Sequence, residues 1–362
     1  MTVPCVRVPA AAGEETRRAL VEAGVVDHGH DIVAADGVLY IPVTDPADVP
    51  ADYEVVDHDV PARRPQRTPA DILGSEPSYE RLGDVVILDE DDPERAREIA
   101  DAVMESDVRA RTVVNRASKI RGELRVRDWE VLRGDGTETV HREYGYEFLL
   151  DISTVYFSPR LATERHRVVE QVEAGEHVFD MFAGVGPFAI PCAGEGADVV
   201  AVDLNEAAVK YLRENARRNS VEERLTAIHG DARDVGAGSS RVARDAERPS
   251  DRASGPSARE QTKRSDGATD GDRDYKNWAD RIVMNLPHSA DEFLDTAVAV
   301  AGDDCVIHYY DIQHEDDPFG PGERAIRAAA EPGYEVSVEN ERVVRSYAPH
   351  EYNVCLDVRL SR

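Results

Sequence analysis

Three apolar runs from residue 177 onward end on an aspartate: Asp180 in "HVFDMF", Asp203 in "DVVAVDL" and Asp231 in "LTAIHGD". A fourth, "DRIVMNLP", ends on the amide of Asn285 and on Pro287, which has no N–H to give a ladder, so pairing stops there. After the first aspartate comes the turn "FDMFAGVGPFAIP". Its Gly184 and Gly186 permit a tight bend and close backbone approach, and Pro187 suits the start of a helix. If the runs are strands, these groups gather at the carboxyl ends of a sheet, where open α/β folds bind ligands. Asn and Pro are also ordinary turn residues, so that reading of 285–287 stays open.

An acid about 20 residues beyond such a turn reaches a ribose diol, which suits Asp203; Asp231, one strand further, suits an adenine edge. The loop is not a full dinucleotide fingerprint, because Ala189 stands where a third glycine-type residue belongs. Three acids would repel a pyrophosphate. They suit S-adenosylmethionine, which carries an amine and a sulfonium and no phosphate. Helix capping accounts for any one of the three but strains to cover all of them. The cofactor candidates are Asp180, Phe182, Gly184, Gly186, Asp203 and Asp231.

The elements that must hold these groups alternate strand and helix from about 156 onward, which predicts an α/β fold: a parallel sheet with helices on both faces. The tail, "EVSVENERVVRSYAPHEYNVCLDVRL", predicts two further strands around a turn, an antiparallel edge. Two smaller α+β units come first. Residues 1–60 hold the strands "CVRVP" and "GVLYIPV" around the helix "GEETRRALVEAG"; residues 68–155 hold the strands "DVVILD", "TVVNRA" and "EFLLDIS" and the helix "DPERAREIADAVMES". Residues 156–362 form the large domain. Within it, 236–277 carries almost no large apolar side chains, and a disordered insertion is expected there.

The net charge is -29, from 43 basic and 72 acidic residues. Lysine is confined to Lys119, Lys210, Lys263 and Lys276, and acid excess with scarce lysine resembles halophilic proteins. An acidic chain ordinarily argues against nucleic acid. In molar salt, however, the screening length falls to about 3 Å and local charge decides. Locally the charge reverses: "RARTVVNRASKIRGELRVR" (109–127) has one acid, Glu123, among seven basic residues, a phosphate-contacting pattern. "PARRPQR" (61–67) reads as a solvated linker. The four scattered cysteines predict neither disulfides nor a zinc site, and with no secretory start or membrane-length apolar run they predict a soluble cytoplasmic protein without metal.

"VYFSPRLATERHR", "DMFAGVGPFAIP", "DLNEAA", "VMNLPHSADEFL", "VIHYYD" and "RSYAPHEYNVCLD" together resemble the archaeal and eukaryal tRNA (guanine-37-N1)-methyltransferases. The resemblance spans nearly the whole chain outside 236–277, and "CVRVPAAAGEETRRALVEAGVVD" resembles that family's tRNA-core-reading domain. It implies a class I methyltransferase (Rossmann-like) sheet with an antiparallel edge, preceded by two RNA-binding domains. It also implies S-adenosylmethionine as cofactor, tRNA (anticodon loop and core) as partner, and a monomer.

The chemistry asks for a base that takes the proton of guanine N1 and a donor for the charge developing on O6. The resemblance gives these roles to Glu164 and Arg125. It gives the base edge to Asn285 and the backbone at Pro287, the pocket frame to Tyr156 and Arg160, and the cofactor lining to Arg165, Asp203, Leu204, Asp231, Ala232 and Asn285. Glu164 and Arg160, four apart, could instead pair along a helix. Two competing expectations are a wyosine-pathway aminocarboxypropyl transferase, whose pattern lacks the NLP step, and an inactive tRNA-binding protein.

Overall fold

The computed structural model describes residues 2–64, 66–118, 127–236 and 275–362. The chain divides into two compact units, Met1–Ser75 and Glu76–Arg362.

In the first unit, β1 (Thr2–Pro9) pairs antiparallel with β3 (Val38–Pro42) and β4 (Val55–Asp59), and β2 (Val33–Ala35) joins the outer edge of β3. Helix α1 (Gly13–Glu22) buries Leu20 with Val6, Val8, Ile41 and Val43. A short α2 (Pro69–Leu73) follows, started by a Thr68–Asp71 capping box and stopped at Gly74.

The second unit begins with β5 (Glu80–Leu82), β6 (Val85–Leu88), β7 (Thr112–Arg116) and β8 (Trp129–Arg133), hydrogen-bonded in that order. Helix α3 (Pro93–Glu105), capped by Asp92, connects β6 to its parallel neighbour β7. A hairpin of β9 (Glu138–Glu143) and β10 (Tyr146–Asp151) stands as its own two-stranded sheet.

Then come α4 (Ala162–Val169), β11 (His177–Asp180), α5 (Ala189–Gly194), β12 (Asp198–Asp203), α6 (Glu206–Arg218), β13 (Leu225–His229) and α7 (Ala232–Gly236). The chain is described again through β14 (Ala279–Met284), α8 (Leu294–Val300), β15 (Ala301–His314), α9 (Gly320–Ala330), β16 (Glu335–Ala348) and β17 (Glu351–Ser361).

The seven-stranded sheet runs β13-β12-β11-β14-β15-β17-β16. The first five are parallel; β17 and β16 add antiparallel, as the tail predicts. Apolar side chains of α7, α8 and α9 close one face of the sheet, and those of α4, α5 and α6 the other.

The boundary expected near 155 is not a break in packing. Phe148 and Leu150 of β10, with Leu82, Val85 and Val114, share a core with Ile190 and Leu212 of the large sheet's helices. Asn215, fully buried on α6, accepts from the Leu149 amide at 2.7 Å and donates to the carbonyls of Leu149 and Val185. Those bonds stitch the hairpin to α6, where α-helical periodicity alone gives no sign of a strand as neighbour. The 236–277 reading falls largely on residues outside those described; at its end Tyr275 is fully buried against Phe179 and Trp278.

Candidate active site

The glycine turn leaves β11 with the two glycines in different roles. Gly184 (φ 55°) faces open space where a side chain would begin, so a ligand can approach its backbone. Gly186 (φ 94°) is closed in: a Cβ there would lie 2.6 Å from Leu212 and 2.7 Å from Ile190. Packing, rather than ligand approach, requires the second glycine. Asp203 fixes the turn, accepting from the Gly184 amide at 2.7 Å through Oδ2 and from the Asn205 amide at 2.8 Å through Oδ1. Burial nevertheless pushes its carboxyl up.

Asp180 is 1% exposed; its Oδ1 accepts weakly from the Phe182 amide at 3.3 Å, while its Oδ2 has no partner. Burial first, and then the neighbouring charge of Asp203, push its carboxyl up to about 7. A buried orphan acceptor is costly unless something donates to it. Leu204, next to Asp203 in the chain, is 46% exposed, an apolar surface at a strand end. These features fit S-adenosylmethionine: its ammonium would complete Asp180, its diol would reach Asp203, and its purine would cover Leu204.

Asp231 is held low, chiefly by Arg233, which meets it at 2.6 Å and also stacks over Phe293. Phe182 packs edge-on against the same ring. The Ala232 side chain is in the core, so only its backbone is free to face a ligand. Arg165, expected to line the cofactor, is 3% exposed and spends its guanidinium on Glu143 and the Ser158 carbonyl.

Glu164 is 4% exposed on α4. Its Oε1 accepts from Arg167 Nη2 at 2.7 Å and Tyr310 Oη at 3.0 Å; its Oε2 accepts from Arg167 Nε at 3.0 Å and pairs with Arg342 Nε at 3.0 Å. Arg160 does not pair with it. That side chain reaches Glu80 instead, at 3.2 Å and 3.3 Å, because the residues before Ala162 form a 3-10 turn that breaks the α-helical spacing.

Behind Glu164 the charges alternate inward. Arg167 continues to Asp357 at 2.6 Å, Asp357 to His308 Nδ1 at 2.6 Å, and His308 Nε2 to Arg281 Nη1 at 2.7 Å, which pairs with Glu176 at 2.9 Å. Arginine only donates and carboxylate only accepts, so His308 is the neutral tautomer with its proton on Nδ1. Burial holds its imidazole below the usual range. Burial would lift Asp357, but His308 and Arg167 outweigh it and hold the carboxyl far below the ordinary value. His308, Cys355 and Asp357 lie within metal-ligand distance of one another, yet Arg167 and Arg281 already place positive charge on both sides of them.

The NLP step follows β14 directly. Val283 faces the same core as Tyr310 and Cys355, and strand alternation puts Asn285 on that face too. Asn285 is half-buried, with no hydrogen-bond partner among the described residues, and Pro287 is buried. His288 takes a left-handed conformation (φ 81°) with its ring edge-on to Tyr347. Tyr156 is half-buried before the 3-10 turn. Arg125 lies outside the described residues. Of the basic stretch around it, Arg111 is taken by Asp84 and Arg116 by Glu80 and Asp89, so neither is a free phosphate contact.

Sequence reasoning missed Arg167, Tyr310, Arg342 and Asp357. A signal existed: in "VIHYYD" and "YNVCLD", His308 and Tyr310, and Asn353, Cys355 and Asp357, recur every second residue, a polar row on one face of two buried strands.

Three family models match: the TRM5/TYW2 methyltransferase domain over 139–246 and 267–339, the tRNA methyltransferase 5 N-terminal domain over 5–52, and the TYW2 N-terminal domain over 66–137. The chain is 37% identical to the tRNA (guanine(37)-N(1))-methyltransferase Trm5b of Pyrococcus abyssi, over 98% of each chain. The crystal structure of that protein aligns with TM-score 0.63 over 99% of this chain and 100% of the other. A structure described as the complex of aTrm5 and tRNALeu aligns with TM-score 0.64 at 30% identity, over 99% of each chain. A tRNA(Phe) (4-demethylwyosine(37)-C(7)) aminocarboxypropyltransferase of Pyrococcus horikoshii is 33% identical, over 77% of this chain and 88% of its own length.

Proposed function

The chain belongs to the TRM5/TYW2 methyltransferase family, and from that premise we propose that it transfers the methyl group of S-adenosylmethionine to N1 of guanosine 37 in tRNA. The observation that carries this over the aminocarboxypropyl alternative is coverage. The N(1)-methyltransferase relative aligns over 98% of this chain, including the amino-terminal unit, against 77% for the aminocarboxypropyltransferase. The NLP step at 285–287 points the same way.

In this reading S-adenosylmethionine supplies an electrophilic methyl group. Asp180, the Gly184 backbone, Asp203, Leu204 and Asp231 hold it at the ends of β11, β12 and β13. The base is turned out of the anticodon-loop stack, and Asn285 and the backbone at Pro287 hold its edge. Glu164 takes the N1 proton, while Arg125 meets the charge on O6. Tyr156 frames the pocket; Arg160, tied to Glu80, braces the turn that leads into α4. Arg165 acts by anchoring α4 to Glu143 of β9.

The amino-terminal unit reads the tRNA core, and the protein works as a monomer in the cytoplasm. Among the described residues no helix is long and apolar enough to cross a membrane.

The test uses methyl-labelled S-adenosylmethionine with a tRNA transcript, and a control transcript with adenine at position 37, in dilute buffer and in molar KCl. Label recovered in 1-methylguanosine and lost in the control is the expected result. Label that enters only from the cofactor's amino-acid carbons supports aminocarboxypropyl transfer, and binding without either label supports the inactive protein.

A further inference from the structure

Glu164 cannot act as drawn while all its partners stay. Oε1 accepts from Arg167 and Tyr310, Oε2 accepts from Arg167 Nε, and the Arg342 guanidinium, ion-paired 3.0 Å from Oε2, covers the side on which a nucleobase N–H would have to approach. Arg167 is pinned by Asp357, and Tyr310 is fully buried. Arg342 differs: its side chain is 45% exposed on the edge strand β16, and it makes no other ion pair or hydrogen bond among the described residues. It is the cation that can leave.

The strand beside it is built around a bulge. Arg342 lies opposite Cys355, Val343 opposite Val354 and Arg345 opposite Asn353, so Val344 is the extra residue. Three residues apart on a regular strand, Arg342 and Arg345 would point to opposite faces. The bulge re-aims Arg345 to the face of Arg342. Cys355 and Asn353 are two residues apart on β17, so the two arginines are separated by about 7 Å along the strand, close to the reach between neighbouring phosphates of an unstacked strand.

Arg345 is half-buried with an unpartnered Nε, and Asn353 opposite it is 3% exposed with an unpartnered Oδ1. Tyr347 follows, exposed, as a ring on which a base can stack. Glu341, the nearest acid along β16, lies opposite Leu356 and so faces the α9 side.

We propose that Arg342 and Arg345 grip two successive phosphates at the mouth of the Glu164 pocket, and that the phosphate drawing Arg342 away uncovers Glu164 Oε2 for the N1 proton. The second half rests on the methyl-transfer reading above. RNA binding and base activation are thereby one event: the carboxylate stays fully paired until a backbone anion arrives. The charged and titratable groups facing Glu164 are Arg167 from α4, Tyr310 from β15, Arg342 from β16, and Cys355 and Asp357 from β17 behind Arg167.

The test compares wild type with Arg342→Ala, Arg345→Ala and Arg342→Lys. Transcript affinity is measured in KCl from about 0.1 to about 1 M, with circular dichroism at each salt to show that every variant is folded. Each alanine variant should lose about 0.7 from the slope of log affinity against log salt, so that binding is about 5-fold weaker at 0.1 M. Arg342→Lys should keep the slope.

In single turnovers at saturating transcript, the acid limb of the pH–rate profile should lie at the same pH in wild type and Arg342→Ala, because Arg342 has left Glu164 in both. Unchanged salt slopes in the alanine variants would overturn the clamp. An acid limb moved to higher pH in Arg342→Ala would overturn the release, since it would mean that Arg342 still sits on Glu164 in the complex. Wild type that binds transcript but forms no 1-methylguanosine would remove the methyl-transfer reading and the release with it, while the slopes would still decide the clamp.

Discussion

An ammonium seated on Asp180 would make cofactor binding a proton-linked event. The Asp180 carboxyl is buried, one oxygen lacks a partner, and its pKa is pushed up to about 7. If the ammonium of S-adenosylmethionine pairs with it, the bound form carries an ionised Asp180. Below pH 7, binding must first release a proton, so affinity falls about tenfold per pH unit. Between pH 8 and pH 5.5 the expected loss is about 30-fold, or about 2 kcal/mol.

Isothermal titration in two buffers of different ionisation enthalpy reads both quantities. The Kd should follow this curve, with nearly one proton released at pH 5.5 and nearly none at pH 8. Asp180→Asn should bind more weakly with a flat profile. Without cofactor the sign reverses: the folded state holds this proton more tightly than the unfolded chain, so its contribution is full in acid and lost as pH rises from about 4 to about 7. Asp180→Asn should therefore raise the apo Tm at pH 8. A wild-type Kd that is flat from pH 5.5 to 8, with no proton release, would refute the pairing.

Glu164→Gln should keep S-adenosylmethionine affinity within a few-fold yet lower the single-turnover rate by about 10²–10⁴; an unchanged rate would remove Glu164 as the base. Arg167→Met leaves Glu164 and Asp357 buried without the cation between them, and should cost about 3–5 kcal/mol in denaturant unfolding. Because the Asp357 carboxyl is held far below its unfolded value, the stability it supplies is present above about pH 4 and lost in acid. The gap between wild type and Arg167→Met should accordingly narrow below that pH. Gly184→Ala should stay folded, at about 1–2 kcal/mol for the left-handed backbone, and lose cofactor affinity. Gly186→Ala, driven into Leu212 and Ile190, should fail to fold stably; thermal melts and cofactor titration separate the two.

The large sheet was legible because its signals are local. Apolar runs ending on Asp180, Asp203, Asp231 and Asn285, with amphipathic stretches between them, declare parallel strands and the end at which polar groups collect. The motif residues follow in chain order, so a linear reading finds them. It does not find their partners. The spacing of four between Arg160 and Glu164 also permits a helix pair, yet the 3-10 turn at Pro159–Leu161 sends Arg160 to Glu80, outside any local window.

The sequence by itself determined the element types, the ligand-binding end of the sheet and the acids that suit an ammonium-bearing nucleoside. Only the tertiary structure decided what each charge does. Glu164 meets Tyr310 and Arg342 because β15 lies beside β17 and β17 beside β16, an order that no periodicity encodes. Arg345 shares the face of Arg342 because one extra residue bulges from an edge strand. The hairpin of β9 and β10 belongs with the large sheet because Asn215 offers it an amide from across α6. Burial set the rest. The same aspartate type is lifted to about 7 at Asp180, where nothing donates to Oδ2, and is held far below its ordinary value at Asp357, where an arginine and a histidine do.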